Sequence, residues 1–160
     1  MKLYLAQHGP AVDKSINRDR PLSDIGQAEV NGVAKYLKQA NARISGIYHS
    51  GKTRAEQTAE IFASELGINN VEQMDGLNPN DDVEAVVEKI NSLTDDTMIV
   101  THIPFLPRMV SRLLTGDSAS EASALPGNIV CLDRDQEGFW SLAGCCAYDS
   151  FDQQQNKTAH

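Results

Sequence analysis

Positive charge is scarce in this sequence: 14 Lys and Arg stand against 22 Asp and Glu over 160 residues, a net charge of −8. Such a balance argues against general nucleic-acid binding, because a phosphate backbone rewards a positive surface. Long apolar runs are also missing, which excludes a membrane-spanning helix, and Met1 to Gln7 is too short for a signal peptide. Cysteine is sparse and odd in number. Cys131, Cys145 and Cys146 form no Cys-x-x-Cys pair and no matched His spacing, so neither a disulfide framework nor a zinc site is expected. Inert thiols in a reducing cytoplasm fit better, and nothing supports a redox role for the adjacent pair Cys145 and Cys146. No internal repeat, low-complexity block or linker interrupts the chain.

What is present reads as one domain, residues 1–148, followed by a polar tail, 149–160. A chain of this length buries about two thirds of its unfolded surface, enough for a core without staples. Lys2 to Gln7 reads as a strand ended by His8-Gly9-Pro10, and Val30, Val33, Ala34 and Leu37 then trace one helix face. Gly46 to His49 is a second buried strand. After Ser50-Gly51-Lys52, Thr53 and Glu56 are spaced as a capping box, and Ala55, Ala59, Phe62, Ala63 and Leu66 supply the buried face of a helix stopped by Gly67. Val83, Val86, Val87, Ile90 and Leu93 give a further helix, and Thr97 to Thr101 a strand with His102 at its end. Pro104 suits the first turn of a helix carrying Leu106, Met109, Val110 and Leu113. Asn128–Asp133 and Phe139–Leu142 read as a hairpin around Asp135-Gln136-Glu137-Gly138. Strands alternating with helices predict an α/β three-layer sandwich, with a mainly parallel sheet and helices on both faces.

His8, Arg54 and His102 all fall at predicted C-terminal strand ends or just beyond, the edge at which open α/β sheets bind ligands. A lone His there is more often structural. Three such residues on one edge can perform phosphoryl transfer through a covalent histidine. A neutral imidazole is a competent nucleophile near pH 7, and its phosphorylation divides a difficult hydrolysis into two easier steps. Charge spreads over the equatorial oxygens, which a planar guanidinium such as that of Arg54 grips in pairs. A second histidine on the edge would donate a hydrogen bond or a proton to the same oxygens.

Four segments carry a resemblance. Leu5-Ala6-Gln7-His8-Gly9, Arg20-Pro21-Leu22-Ser23-Asp24-Ile25-Gly26, Ser50-Gly51-Lys52-Thr53-Arg54-Ala55-Glu56-Gln57-Thr58-Ala59 and Val100-Thr101-His102-Ile103-Pro104 occur in the order of the motifs of the histidine phosphatase superfamily, the phosphoglycerate mutase-like family. The short length, with no inserted lid domain, is most similar to its SixA-type phosphohistidine phosphatases, from Lys2 to about Leu142. The resemblance implies His8 as the phosphorylated nucleophile, Arg54 as the phosphate clamp and His102 as the residue completing the pocket. Gln7, Gly9, Arg20 and Lys52 are expected to contact substrate, and Ser50 to shape the turn. No metal and no organic cofactor is implied. The implied partner is a phosphohistidine-bearing protein, with neither nucleic acid nor membrane involved and a monomer favoured.

One position departs from the pattern. The first family motif is normally Arg-His-Gly, and Gln7 replaces its arginine with an amide that donates hydrogen bonds but carries no charge. Loss of a comparable transition-state donor costs about 3 kcal/mol. Arg18, Arg20, Lys52 and Arg108 are the cations available to compensate. No general acid is marked either: Asp81 and Asp82 read as a helix N-terminus favoured by the dipole, and Asp75 has no motif. Phosphohistidine needs such an acid less than an oxygen ester does, because its leaving imidazole is easily protonated. His49 is more a strand residue than a site residue, and His160 belongs to the tail. The competing reading is a catalytically impaired module that binds phosphate or a phosphoprotein. A signalling receiver domain is disfavoured, because it needs acidic residues where His8 and His102 stand.

Overall fold

The computed structural model describes residues 1–118 and 127–148; the predicted tail, 149–160, lies outside the described residues. Ten elements follow in order: β1 (Lys2–Gln7), α1 (Asp24–Gln39), β2 (Gly46–His49), α2 (Thr53–Leu66), β3 (Val71–Gln73), α3 (Glu84–Asn91), β4 (Thr97–Thr101), α4 (Phe105–Thr115), β5 (Ile129–Arg134) and β6 (Trp140–Cys146). The strands form one sheet ordered β3-β2-β4-β1-β5-β6. Its β3, β2, β4 and β1 run parallel, whereas β5 is antiparallel to β1 and β6 antiparallel to β5. The α/β architecture is therefore the predicted one, with an antiparallel hairpin added to a parallel half.

Two apolar layers hold it. On one face Val30, Val33, Ala34 and Leu37 of α1 and Ala55, Ala59 and Phe62 of α2 pack on Tyr4, Ala6, Ile47, Met98 and Val100. On the other, Val86, Val87 and Ile90 of α3 and Leu106, Met109 and Val110 of α4 cover Leu3, Leu5, Ile99, Val130 and Leu132. Alternation along β1 and β4 feeds both layers, since successive side chains leave a strand on opposite faces. Central strands covered twice read as continuous apolar runs.

Four local expectations are corrected. The capping box at Thr53 does not form: the N-cap of α2 is Lys52, without a side-chain cap bond, and Thr53 is already helical. The turn is built one step earlier, with the Lys52 N–H 3.4 Å from Ser50 Oγ and Gly51 at φ +91°. Pro104 is the N-cap of α4, after a cis Ile103–Pro104 bond, rather than a residue inside its first turn. The hairpin runs beyond Leu142 to Cys146, and α3 stops at Asn91, before Leu93.

Candidate active site

Sheet register assembles the site. Gln7 pairs with Thr101 across the parallel strands β1 and β4, so the residues that follow, His8 and His102, leave the sheet side by side. Their rings lie 5.0 Å apart between centroids, inclined at 53°. The backbone N–H of His8 donates to Thr101 O at 3.1 Å and continues the ladder one step past the strand end. On the other flank of β4, His49 pairs with Val100. The next residue, Ser50, brings its Oγ to 2.7 Å from His102 Nε2.

Close packing aims His8. Its Nδ1 is 2.7 Å from Gly9 O, an acceptor only, so Nδ1 carries the proton and Nε2 keeps the lone pair. The Nε–H of Arg54, in the first turn of α2, donates to that Nε2 at 3.3 Å. Arg54 is tied in turn through its carbonyl, which accepts from Thr58 Oγ1 at 2.7 Å, while Thr58 Oγ1 accepts from the Gly9 N–H at 3.0 Å. Both polar backbone groups of Gly9 are thus engaged within the protein. These bonds orient His8 and anchor α2, and Gly9 also lines the cleft beside His8. A Cβ there would meet Val30 Cγ2 at 2.5 Å. Only glycine lets the loop pass this close to α1.

Burial sets the protonation states. Desolvation lowers the His8 pKa from 6.5 to about 4, helped by the charges of Arg54 and Arg20 and opposed by the bond to Gly9 O. His102 falls further, to about 3, again first through desolvation and then through His8, Arg54, Lys52 and Arg20. Burial and the neighbouring Arg20 also lower the Arg54 pKa. Both imidazoles are therefore neutral near pH 7 and sit in a positive field.

Two further cations contribute to that field. Arg20 acts on His8, Arg54 and His102, and Lys52 acts on His102, although Lys52 is exposed. Arg20 adopts φ +47°, uncommon for a side-chain-bearing residue, with its Nε 3.2 Å from Val12 O. Arg18 and Arg108 are exposed.

Gln7 lies on the opposite flank. Its Oε1 is 3.1 Å from Asn128 Nδ2, at the start of β5, and it lines a cleft of about 340 Å³ shared by His8, Gly9, Asn128 and Tyr148. A larger cleft of about 400 Å³ opens at the other end of β1, among Lys2, Tyr4, Tyr36 and Cys131, away from both histidines. Sequence pattern does not mark Asn128 and Tyr148 as site residues. It makes Asn128 only the start of a hairpin and Tyr148 only the end of the domain. His49 serves the turn, its buried Nδ1 accepting from the Gly51 N–H at 3.1 Å. Asp81 Oδ2 accepts from the Asn78 N–H at 2.9 Å and Asp82 Oδ1 from the Glu84 N–H at 3.0 Å, as turn and helix-start residues do.

Comparison with known proteins places the fold and the family. The model of the histidine phosphatase superfamily (branch 1) matches residues 3–81, which include His8, Arg20 and Arg54. An uncharacterised protein of Picosynechococcus sp. is 31% identical over 140 residues, spanning 82% of this chain and 84% of its own. Among solved structures, the protein histidine phosphatase SixA in complex with tungstate superposes with a TM-score of 0.81 at 24% identity, covering 94% of this chain and 99% of its own. A phosphoglycerate mutase from Plasmodium falciparum gives 0.69 at 21% identity, covering 89% and 88%. The chain belongs to the histidine phosphatase superfamily, whose members are phosphatases and mutases.

Proposed function

We propose that this chain is a SixA-type phosphohistidine phosphatase, acting in cytoplasmic signal transduction on a phosphohistidine-bearing protein. The carrying observation is the orientation of His8: Nδ1 bound to Gly9 O, and a neutral Nε2 facing the Arg54 guanidinium. In this reading Nε2 attacks phosphorus, the P–N bond to the substrate imidazole breaks, and that imidazole leaves with a proton. Water then attacks phospho-His8, the new P–N bond breaks, and inorganic phosphate departs. Arg54 turns its fork from His8 to the phosphoryl oxygens, Arg20 and Lys52 add positive field, and His102 closes the pocket. A good leaving imidazole fits a site whose aspartates Asp81 and Asp82 are engaged elsewhere. A site open to a bulky partner would suit a protein substrate, because a lid would exclude one.

Gln7 favours a second reading, a module that holds a phosphate group but turns it over poorly. A single-turnover assay separates the two. A radiolabelled phosphohistidine protein is mixed with the chain, and released phosphate and acid-labile label on the chain are followed beside His8→Ala and Gln7→Arg. Release that depends on His8 supports the phosphatase, with a gain in Gln7→Arg measuring the missing guanidinium. Silence in both the unaltered chain and Gln7→Arg, with phosphate affinity surviving His8→Ala, supports the module.

A further inference from the structure

The end of the Gln7 amide that meets a ligand is set by a chain of hydrogen bonds beginning at Tyr148. The backbone N–H of Tyr148 can only donate, and it lies 3.0 Å from Asn128 Oδ1. Exchanging oxygen and nitrogen in Asn128 would set an NH2 group against an N–H, so this partner fixes the amide. With its oxygen engaged, Asn128 presents Nδ2 to Gln7 Oε1 at 3.1 Å. The same logic then holds for Gln7: its oxygen accepts, and its Nε2, with two N–H donors, is the end left toward the cleft beside His8. The backbone clamps the arrangement. Gln7 N donates to Asn128 O at 2.8 Å, and the hydroxyl of Tyr148, a residue only 3% exposed, donates to Gln7 O.

We infer that Asn128 and Tyr148 are positioning residues, which hold Gln7 with its Nε2 donors toward the phosphoryl group and give this chain a neutral, directed donor in place of a guanidinium. The inference rests on the phosphatase reading above. It divides the work of the missing arginine: Arg54, Arg20 and Lys52 supply the charge, and Gln7 supplies direction. An amide donates from one end only, so its value depends on which way it is turned. A guanidinium, with five donors, has no such dependence.

Asn128→Asp tests this. The new carboxylate still accepts from the Tyr148 N–H but offers Gln7 only oxygens, so the Gln7 amide turns over and presents Oε1 to the phosphoryl oxygens. The expected result is a fall in kcat/KM of about tenfold or more toward a phosphohistidine protein, as for a lost hydrogen bond to a charged group, with the thermal midpoint retained. In a Gln7→Arg background the same substitution should change kcat/KM by less than about threefold, since every guanidinium nitrogen donates. Equal losses in both backgrounds would show Asn128 acting on the fold or by charge alone, and would overturn the inference. A titration with inorganic phosphate, followed by NMR at the Gln7 side-chain amide and the His8 ring, separates it from the parent reading. Both signals should move with one affinity. Movement of His8 with a still Gln7 amide overturns the positioning role and leaves the phosphatase standing, whereas stillness of both overturns the two together.

Discussion

The Nε–H of Arg54 donates across 3.3 Å to the lone pair of His8 Nε2, the atom through which the proposed reaction runs. A cation thus stands where the phosphoryl group would arrive, held by α2 and by the Thr58 bridge to Gly9. Arg54→Ala should lower the single-turnover rate by about a hundredfold or more, the size of effect seen when a transition-state donor is removed. Arg54→Lys should recover only part, since an ammonium lacks the planar fork. An unchanged rate of phosphate release in Arg54→Ala would remove Arg54 from the site.

The two histidines predict a pH signature. His8 titrates near 4 and His102 near 3 in the folded chain, against 6.5 for an ordinary histidine, with desolvation the leading cause in both. Both folded values are depressed, so above about pH 6.5 neither state binds the protons and the contribution to stability is intact. Below 6.5 the unfolded chain takes up protons that the folded chain refuses, and stability is lost progressively down to about pH 4 and then 3. A tenfold difference in proton affinity between the two states corresponds to about 1.4 kcal/mol, so the loss between pH 7 and pH 5 is on the order of a few kcal/mol. Urea unfolding at pH 7 and pH 5 should show the loss, and His8→Gln should reduce it. Ring-nitrogen NMR at pH 6 should find His8 neutral, with the proton on Nδ1. A protonated His8 at pH 6 would refute this account of the nucleophile.

Ser50 offers a test of a different kind. Its Oγ is the described partner of His102 Nε2, at 2.7 Å, and His102 Nδ1 is buried with no partner among the described residues. Ser50→Ala therefore leaves a second ring nitrogen of a nearly inaccessible histidine unpaired. The expected cost is about 1–3 kcal/mol of stability, read as a lower midpoint in thermal or urea unfolding. Ser50→Thr keeps the hydroxyl and should lose less. Equal losses in the two variants would mean that the hydroxyl of Ser50 is not what His102 requires.

How much of this is readable without coordinates follows from how locally each feature is determined. The strand ends at His8 and His102 are legible because Leu3 to Ala6 and Met98 to Val100 are unbroken apolar runs between polar residues, and both are buried on two faces. Arg54 is legible because its turn and helix are contiguous in sequence. β3 is not, since Val71 to Gln73 is a three-residue, largely exposed edge strand with no periodicity to read. Asn128 and Tyr148 reach Gln7 across 121 and 141 residues of chain, and the antiparallel registers of β1 with β5 and of β5 with β6 explain those meetings. The capping box at Thr53 fails because the helix starts one residue earlier than that spacing implies: Lys52 is the N-cap, and the Glu56 N–H that Thr53 would cap donates to Lys52 O at 2.9 Å.

The loop that follows His8, the proposed nucleophile, is held by contact rather than by charge, and this gives the last prediction. A Cβ built on Gly26, in the first turn of α1, would lie 2.0 Å from Pro10 O and 3.0 Å from Pro10 C. Ser23 Oγ caps the same turn by accepting from the Gly26 N–H at 3.0 Å, and the Ser23 N–H donates to Pro10 O at 3.0 Å. The helix start and the His8-Gly9-Pro10 loop are therefore one packed unit, and a methyl group can enter only if Pro10 moves. Alanine would otherwise favour a helix over glycine by about 1 kcal/mol, so propensity alone predicts a more stable Gly26→Ala protein. Backbone contact at 2.0 Å decides the sign the other way. Gly26→Ala should lose about 1–3 kcal/mol, as overpacked sites do, and the displaced loop should loosen His8 Nδ1 from Gly9 O. The rate of phosphate release should then fall by more than the unfolded fraction explains, which a rate measured per folded molecule, by active-site titration against thermal unfolding, would reveal. A stabilised Gly26→Ala protein of full activity would show that the loop after His8 yields freely, and that its packing against α1 does not aim the nucleophile.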